Sequence, residues 1–420
     1  MHLDASPTAG DLVGIDPDDL TGEYARRRLG ALSDEQLFDA AAAVVGQPKA
    51  EPASSFILHA PLELLARRAL LRIAAPDRRD ALRERIVSLA ATYERAADPV
   101  VASPPAAFAS PAAAVSALTS AIREKDLDQS DAAASWLAHH GSADDVMALA
   151  PSTTDSLAAA GHASIYFFHL ARTAMGNRAA LGLLRPLVRE VARLPELRIE
   201  WVRDRIAATG DDGAAFARAL AATPRLGLPG SDFIFPTVHQ VDHDGPARAL
   251  ITATLPRDHA TAASAILRTA AHSMLQDEPN YAPYGWSHCL TLPQSVLGIT
   301  RWLPNQTTAT AIAATYVVAF RAAQSSRDID VTWAPEPDSA AFADVIQGDP
   351  TAAASAAYHA PDHEVPTIIS ELAARAGAHP DAHLAKYTLA CFDAAASDPS
   401  QRGLYLAAAA YLGARWARAA

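Results

Sequence analysis

Apolar residues recur at intervals of three and four along most of the chain, a spacing that predicts α-helices with one buried face. The clearest helix starts are Ser33, which opens a capping-box pattern running to about Val45, and Asp398-Pro399, which opens the last helix. No segment shows the alternation of apolar and polar residues that is typical of a half-buried strand. We therefore predict an all-α fold.

Stretches rich in proline and glycine interrupt the helical pattern and indicate the domain organisation. Residues 1–30 are rich in Gly, Pro and Asp, so we predict a loosely ordered N-terminal segment there. Residues 31–420 are predicted to form one large multi-helix domain, with two lobes as the alternative. Such lobes would meet near 98–111 or 224–244, where the helical period is lost.

Three histidines share a local context. His59, His239 and His288 each follow an apolar or aromatic stretch and precede a proline and an apolar helix. Because proline fits the first turn of a helix, we predict one helix that opens at Pro61 and another that opens at about residue 294. The three imidazoles would then lie at helix starts and face a shared interior.

Composition and charge narrow the classes of partner and compartment. Half of the residues are hydrophobic, which allows a large core, and the net charge is -12 without a basic run. Such a chain is a poor candidate for binding nucleic acid or an anionic membrane. Its two cysteines, Cys289 and Cys391, favour a reducing compartment. With no signal-peptide pattern and no apolar run of spanning length, we expect a soluble, cytoplasmic protein.

The segment 379–391 carries the most unusual combination of side chains. His383 and Lys386 are three residues apart, so they share one face of a predicted helix. Leu384, Tyr387 and Cys391 follow at helical spacing beside them, which predicts that this face points inward. The helix is therefore expected to carry a histidine and a lysine into an apolar interior.

Lysine is rare in this chain, which makes a buried lysine informative. Of the 35 Lys and Arg residues, only Lys49, Lys125 and Lys386 are lysine. A lysine kept in an apolar interior suggests chemistry that arginine cannot perform: deprotonation, Schiff-base formation or carboxylation to a metal-binding carbamate. The alternative is a lysine that extends toward the surface and pairs with a carboxylate. The sequence leaves both interpretations open.

Histidine provides the other candidate chemistry. The chain has no GxGxxG motif before a helix, P-loop, GxSxG or HExxH motif, so a flavin- or nicotinamide-binding Rossmann unit is not predicted. Imidazoles suit iron, zinc, copper and nickel, and burying them without partners would be costly. Four of the 15 histidines stand in an apolar or aromatic context: His59, His162, His288 and His383. Four others are predicted to lie at the surface: His2, His139, His140 and His259.

Four short motifs together resemble those of the questin oxidase-like family. They are His-Ala-Pro-Leu-Glu-Leu-Leu from His59, His-Ala-Ser-Ile-Tyr-Phe-Phe from His162, His-Cys-Leu-Thr from His288 and Asp-Ala-His-Leu-Ala-Lys from Asp381. The last is the most specific. The resemblance implies an all-helical enzyme without a flavin fold. It also implies oxidative opening of fused aromatic polyketide rings with O2, in the manner of a Baeyer–Villiger reaction.

The resemblance further implies a non-haem iron held by histidines and a carboxylated lysine, with NADPH as an additional candidate cofactor. The expected substrate is a small aromatic molecule of the anthraquinone or anthrone type. Carried onto matching positions, the implied metal ligands are His59, His162, His288, His383 and Lys386. Of these, His383 and Lys386 are also the expected catalytic residues, and His239 is the reserve ligand.

Further residues are candidates for supporting roles. Glu63 or Asp381 could orient a ligand imidazole through a hydrogen bond. The aromatic residues that could stack on a flat substrate are Tyr166, Phe168, Tyr284 and Trp286.

Three alternative functions stay open at this stage. The first is a zinc or two-metal hydrolase in which Lys386 bridges as a carbamate. The second is a non-catalytic helical scaffold whose histidines are ordinary core residues. The third is a metal-free, NADPH-dependent monooxygenase.

Overall fold

The computed structural model describes residues 12–50, 54–100, 107–204, 206–230, 233–242, 245–338 and 340–419. These residues form 21 α-helices and no strand, so the prediction of an all-α fold is confirmed. The chain divides into two compact units. Unit one comprises Met1–Arg198 and Gly377–Ala382, and unit two comprises Ile199–Ala376 and His383–Ala420. The boundary after Arg198 lies at neither of the two places, 98–111 and 224–244, that were predicted to separate lobes.

Unit one is built from ten helices in the described part of the chain. They are α1 (Leu20–Arg26), α2 (Asp34–Val45), α3 (Ser55–Ile73), α4 (Asp80–Ala96), α5 (Pro111–Glu124), α6 (Leu127–His140), α7 (Ala143–Met147), α8 (Ala150–Thr153), α9 (Ala163–Ala174) and α10 (Leu184–Arg193).

The remaining helices are α11 (Gly213–Ala221), α12 (Ile234–His239), α13 (Pro246–Thr254), α14 (His259–Gln276), α15 (Ser287–Ile299), α16 (Gln306–Gln324), α17 (Phe342–Val345), α18 (Pro350–Tyr358), α19 (Val365–Ala378), α20 (Ala382–Ser397) and α21 (Arg402–Ala419). They form unit two, except that the end of α19 and the first residue of α20 belong to unit one. Helix α16 is buried from Ala309 to Gln324 without a break, so it lies in the core of unit two.

The helix start predicted at Ser33 is confirmed by its hydrogen bonds. The Ser33 hydroxyl accepts the backbone N–H of Gln36 at 3.2 Å, and the Gln36 side chain accepts the backbone N–H of Ser33 at 2.8 Å. This reciprocal pair satisfies two of the donors that a helix N-terminus leaves open. Helix α2 then ends at Val45, where the apolar pattern predicted it.

The helix predicted to open at Pro61 begins earlier. Helix α3 starts at Ser55, because the Ser54 hydroxyl caps it by accepting the N–H of Ile57 at 3.3 Å. Pro61 therefore lies inside the helix, where it removes a single backbone donor. His59 is consequently part of α3 and does not precede it.

The helix predicted at about 294 also begins earlier. A π-helical turn, Ala282–Trp286, runs directly into α15 at Ser287, so Pro293 lies inside α15. Single π-turns of this kind are frequent at functional sites. A Cβ on Gly285 of this turn would lie 1.8 Å from Oε1 of Gln324, so the close packing here favours glycine.

Part of the predicted loose segment 1–30 is folded. A turn at Pro17–Asp19 and helix α1 occupy its described half. The Arg27 guanidinium donates to the carbonyls of Val13 and Gly14 at 2.8 and 3.1 Å, and the Gly14 N–H donates to Glu94 at 2.8 Å. These bonds join residues 13–14 to α1 and α4. Residues 1–11 lie outside the described residues.

A buried arginine holds the segment Gly377–Ala382 in unit one. Arg67 of α3 is fully buried, and its Nε donates to Glu63 at 2.7 Å. Its two terminal nitrogens donate to the carbonyls of Gly377 and His379, the latter at 2.7 Å. Arg85 of α4 adds a bond of 2.8 Å to the carbonyl of Pro380. A segment 310 residues away in sequence is thereby tied to α3.

His272 of α14 is a buried core histidine that sequence analysis did not single out. Its Nδ1 accepts from Gln276 at 3.1 Å, and the imidazole donates to the backbone of Val331. Burial lowers the pKa of His272 to about 4; Asp330 acts against this shift and Arg268 acts with it. At neutral pH the folded unit two therefore contains His272 as the neutral imidazole.

We expect the free energy of unfolding to fall as His272 is protonated. In the unfolded chain His272 has a pKa near 6.5, so the unfolded chain binds this proton more tightly than the folded chain does. The stabilisation that the neutral imidazole provides is therefore complete above about pH 6.5 and is lost toward pH 4. The loss is on the order of 3 kcal/mol. Denaturant unfolding of the parent and of His272→Gln at pH 7.5 and pH 4.5 measures it, with the exposed His363→Gln as control. Equal pH dependence in all three proteins would contradict the assignment.

Candidate metal centre

His59 and His162 meet in the interior of unit one. His59 lies in α3, and His162 is the residue immediately before α9. Their side chains are buried, with 9% and 3% of the residue surfaces exposed. The two Nε2 atoms are 3.2 Å apart, and the rings meet edge to face with centroids 4.4 Å apart. The structure thus brings together two of the five predicted metal ligands within this unit.

Backbone carbonyls fix the protonation of both rings. Nδ1 of His59 lies 2.6 Å from the carbonyl oxygen of Ser55, and Nδ1 of His162 lies 2.9 Å from that of Ala160. A carbonyl oxygen can only accept, so each Nδ1 must carry the hydrogen. A neutral imidazole has one N–H, so both Nε2 atoms present lone pairs.

The two facing lone pairs are placed to share one positive species between them. Imidazole nitrogens bind zinc and similar ions at roughly 2.0–2.1 Å, which places two ligands of one ion roughly 2.9–3.4 Å apart. The observed separation of 3.2 Å fits this range. Nδ1–H bonds to backbone carbonyls are also the usual outer support of ligand histidines. A proton shared between the rings is the competing explanation, and metal titration separates the two.

A strained turn positions His162. Ala159 and Ala160 have φ of 52° and 53°, and Gly161 has φ of 82°, so three consecutive residues adopt the left-handed conformation. For the two alanines this costs roughly 1–2 kcal/mol each. The turn brings the Ala160 carbonyl onto Nδ1 of His162, which is the bond that fixes its tautomer. Backbone strain that persists at such a place is characteristic of functional sites.

The predicted role of Glu63 as the group that orients a ligand imidazole is wrong. Its carboxylate accepts from Arg67 at 2.7 Å and from Arg85 at 3.3 Å, so it belongs to the buried ion-pair cluster. The carbonyls of Ser55 and Ala160 orient the imidazoles instead. Sequence analysis missed these groups because backbone carbonyls leave no signal in side-chain motifs.

In unit two, the other three predicted ligands come from two helices. His288 is the second residue of α15, whereas His383 and Lys386 lie on α20. The rings of His288 and His383 meet edge to face with centroids 4.9 Å apart. Lys386 is 1% exposed, so the prediction that this helix carries a lysine inward is confirmed.

His288 repeats the protonation pattern of the pair in unit one. Its Nδ1 donates to the carbonyl of Tyr284, which belongs to the π-helical turn before α15. Nε2 of neutral His288 therefore also presents a lone pair. The early start of α15 creates this bond, because it places the Tyr284 carbonyl one turn before the imidazole.

Carbonyl-bound histidines also occur where no metal is expected. Nδ1 of His139 lies 2.8 Å from the Ser135 carbonyl, and Nδ1 of His140 lies 3.0 Å from the Trp136 carbonyl. Both residues are exposed, as predicted. The tautomer alone is therefore not diagnostic. What distinguishes the buried pair is that two such Nε2 atoms face each other.

Of the four aromatic residues proposed to stack on substrate, Tyr284 alone combines exposure with a contact to a predicted ligand. It is 56% exposed, and its ring lies edge to face against His383 with centroids 4.9 Å apart. The other three are buried in the cores of their units: Tyr166, Phe168 and Trp286.

The remaining histidines lie apart from this arrangement or differ from prediction. The reserve ligand His239 is exposed on α12 beside Phe235, so it does not fit a buried metal site. His259 was expected at the surface but is half-buried, with Nδ1 2.7 Å from the hydroxyl of Thr310. His2 lies outside the described residues.

Comparisons with known proteins identify no relative of this chain. No protein-family model, no curated protein and no solved structure matches this chain. Within the described part of the chain, no helix has both the length and the apolar character needed to cross a membrane. A metal centre is therefore inferred from the geometry of the buried histidines and from the short motifs.

Proposed function

We propose that this chain is a metal-dependent oxidoreductase that oxidises a small aromatic substrate with O2. The observation that carries metal binding is the pair of Nε2 lone pairs that face each other across 3.2 Å in unit one. Iron as the metal and an anthrone- or anthraquinone-like substrate follow from the resemblance to the questin oxidase-like family. The proposed ligands are His59 and His162 in unit one and His288, His383 and Lys386 in unit two.

The chain's own residues would prepare the metal ligands before any ion arrives. The carbonyls of Ser55, Ala160 and Tyr284 hold three imidazoles in the form that presents Nε2. Ligand groups arranged in advance need no reorganisation when an ion binds, which strengthens binding. Non-haem iron, when bound, would supply the one-electron chemistry that O2 needs to react with an electron-rich ring. Exposed Tyr284 provides a ring face on which such a substrate could stack.

Lys386 would contribute as a carbamate. Its amine would attack CO2, forming an N–C bond and releasing one proton to solvent, and the product would carry an anionic oxygen donor. An ammonium beside a metal would repel it, whereas a carbamate oxygen would bind it. Lys386 is 1% exposed, so its amine lies in the interior of unit two. His383, one turn earlier on α20, is the proposed catalytic partner.

The predicted activity is consumption of O2 together with loss of an anthrone or hydroxylated quinol substrate. We expect it after anaerobic loading with Fe(II) and not with Zn(II). Lys386→Met should lower kcat/KM by at least about 100-fold, because it removes a proposed metal ligand and not only a group that supports one. Lys125→Met is the matched control, because its side chain is 57% exposed. A carbamate signal from 13C-labelled bicarbonate should vanish in Lys386→Met and persist in Lys125→Met.

The alternatives predict different outcomes of the same experiment. Zn(II)-dependent hydrolysis without O2 uptake would identify a hydrolase. O2 uptake that requires NADPH and survives chelation would identify a metal-free monooxygenase. Full activity in Lys386→Met would show that the lysine is not part of the site.

A further inference from the structure

Unit two contains a cavity that none of the proposed metal ligands lines. It has a volume of about 220 Å³ and is bordered by α14, α15 and the end of α20. Its lining includes His259, Ser264, Leu267, Gln294, Leu297 and Asp398. On α15, Gln294 follows His288 by six residues, which places the two side chains on different faces of the helix. The proposed function uses none of these lining groups.

Gln294 is a lining residue whose buried side-chain oxygen lacks a hydrogen-bond partner among the described residues. Its residue surface is 6% exposed, and its Oε1 is buried without a hydrogen-bond partner among the described residues. A buried amide without a partner is costly, and side-chain amides in native cores are nearly always hydrogen-bonded. Because Gln294 lines the cavity, a rotation of its carboxamide would let a ligand provide the missing partner.

His259 adds a second acceptor to the wall. The Thr310 hydroxyl donates to the Gln306 carbonyl at 2.8 Å, so it accepts from Nδ1–H of His259 at 2.7 Å. The Thr300 hydroxyl donates to the Leu297 carbonyl at 2.5 Å, which leaves no proton for Nε2 of His259, 3.4 Å away. Burial lowers the pKa of His259, with Asp258 opposing, so the ring stays neutral at neutral pH.

The one carboxylate in the wall is already neutralised. Asp398 accepts from Nε and a terminal nitrogen of Arg268 at 2.6 and 2.8 Å, and from Tyr405 at 3.2 Å. Burial raises the pKa of this carboxyl, but the bonds from Arg268 and Ser400 outweigh it and leave the pKa lowered. The charges of Asp398 and Arg268 therefore cancel, and the cavity wall favours a ligand without net charge.

We propose that this cavity binds a neutral, single-ring molecule that carries an amide or a similar donor–acceptor group. A dry cavity of about 150 Å³ is enough to bind benzene, so the larger volume here leaves room for a ring and a short substituent. The carboxamide of Gln294 pairs with the ligand amide, whereas Leu267 and Leu297 contact the ring. The lining combines apolar residues with polar groups that would fix the orientation of a ligand, as small-molecule sites do.

Calorimetric titration of the full chain with benzamide, benzoate and toluene tests this proposal. We expect saturable binding of benzamide, with benzoate at least about tenfold weaker because its charge would enter a buried, neutral wall. Gln294→Leu keeps the side-chain size and should weaken benzamide about fivefold to tenfold, while leaving toluene unchanged. Ala263→Phe, at the half-exposed rim, should abolish binding of all three.

Thermal melting followed by circular dichroism establishes that each variant is folded before titration. The proposal is overturned if benzamide does not bind the parent protein. It is also overturned if Gln294→Leu binds benzamide as tightly as the parent does, or if Ala263→Phe has no effect. Metal loading and oxidase activity do not enter this test, so its outcome is independent of the proposed function.

Discussion

Replacing His162 with leucine is expected to abolish metal binding in unit one and to leave the fold intact. Leucine fills a similar volume but offers no nitrogen, so the remaining Nε2 of His59 loses the partner 3.2 Å away. A metal-binding pair that loses one of two imidazoles should lose at least about 100-fold in affinity. Cobalt(II) titration of metal-free protein, followed by its visible absorbance, measures this loss directly. His59→Leu should behave in the same way.

The matched control for this prediction is His139→Leu. Its imidazole has the same Nδ1 bond to a carbonyl, at 2.8 Å, but it is exposed on α6. Cobalt affinity should not change in this variant. Equal affinities in the parent and His162→Leu would show that the buried pair shares a proton and binds no metal.

The second large effect concerns Arg67, the buried arginine of α3. Arg67→Met should lower the free energy of unfolding by about 3–5 kcal/mol, the usual cost of removing one partner from a buried ion pair. Glu63 would stay buried with only the longer contact to Arg85, at 3.3 Å. The carbonyls of Gly377 and His379 would lose their donor. Denaturant unfolding followed by circular dichroism provides the measurement.

Two further variants make the Arg67 result interpretable. Arg257→Met removes an ion pair whose side chains are 60% and 77% exposed, so it should cost less than about 1 kcal/mol. Adding Glu63→Leu to Arg67→Met should restore part of the loss, because it removes the uncompensated charge. A cost for Arg67→Met no larger than that for Arg257→Met would contradict the assigned role.

The helical architecture was predictable because its signals are local. The capping box at Ser33 and the apolar spacing on α20 depend on residues within a few positions of one another. The starts of α3 and α15 were misplaced because proline was taken as the first-turn signal. In the structure, the Ser54 cap and the π-helical turn make these helices begin before Pro61 and Pro293.

The candidate site was predictable in its residue types but not in its geometry. His59 and His162 are 103 residues apart, and no local pattern reports that their Nε2 atoms meet. Ala159 and Ala160 adopt a left-handed conformation that alanine disfavours, so their sequence gives no warning of the turn that orients His162. Non-local packing decides both features.

Elemental analysis of the purified protein by plasma mass spectrometry tests the central claim most directly. The protein is expressed with added iron and analysed beside Lys386→Ala. We predict about one iron per chain in the parent protein and little in the variant, because metal affinity depends on the complete ligand set. Absence of stoichiometric metal from both proteins would contradict the metal centre and leave the buried histidines as core residues.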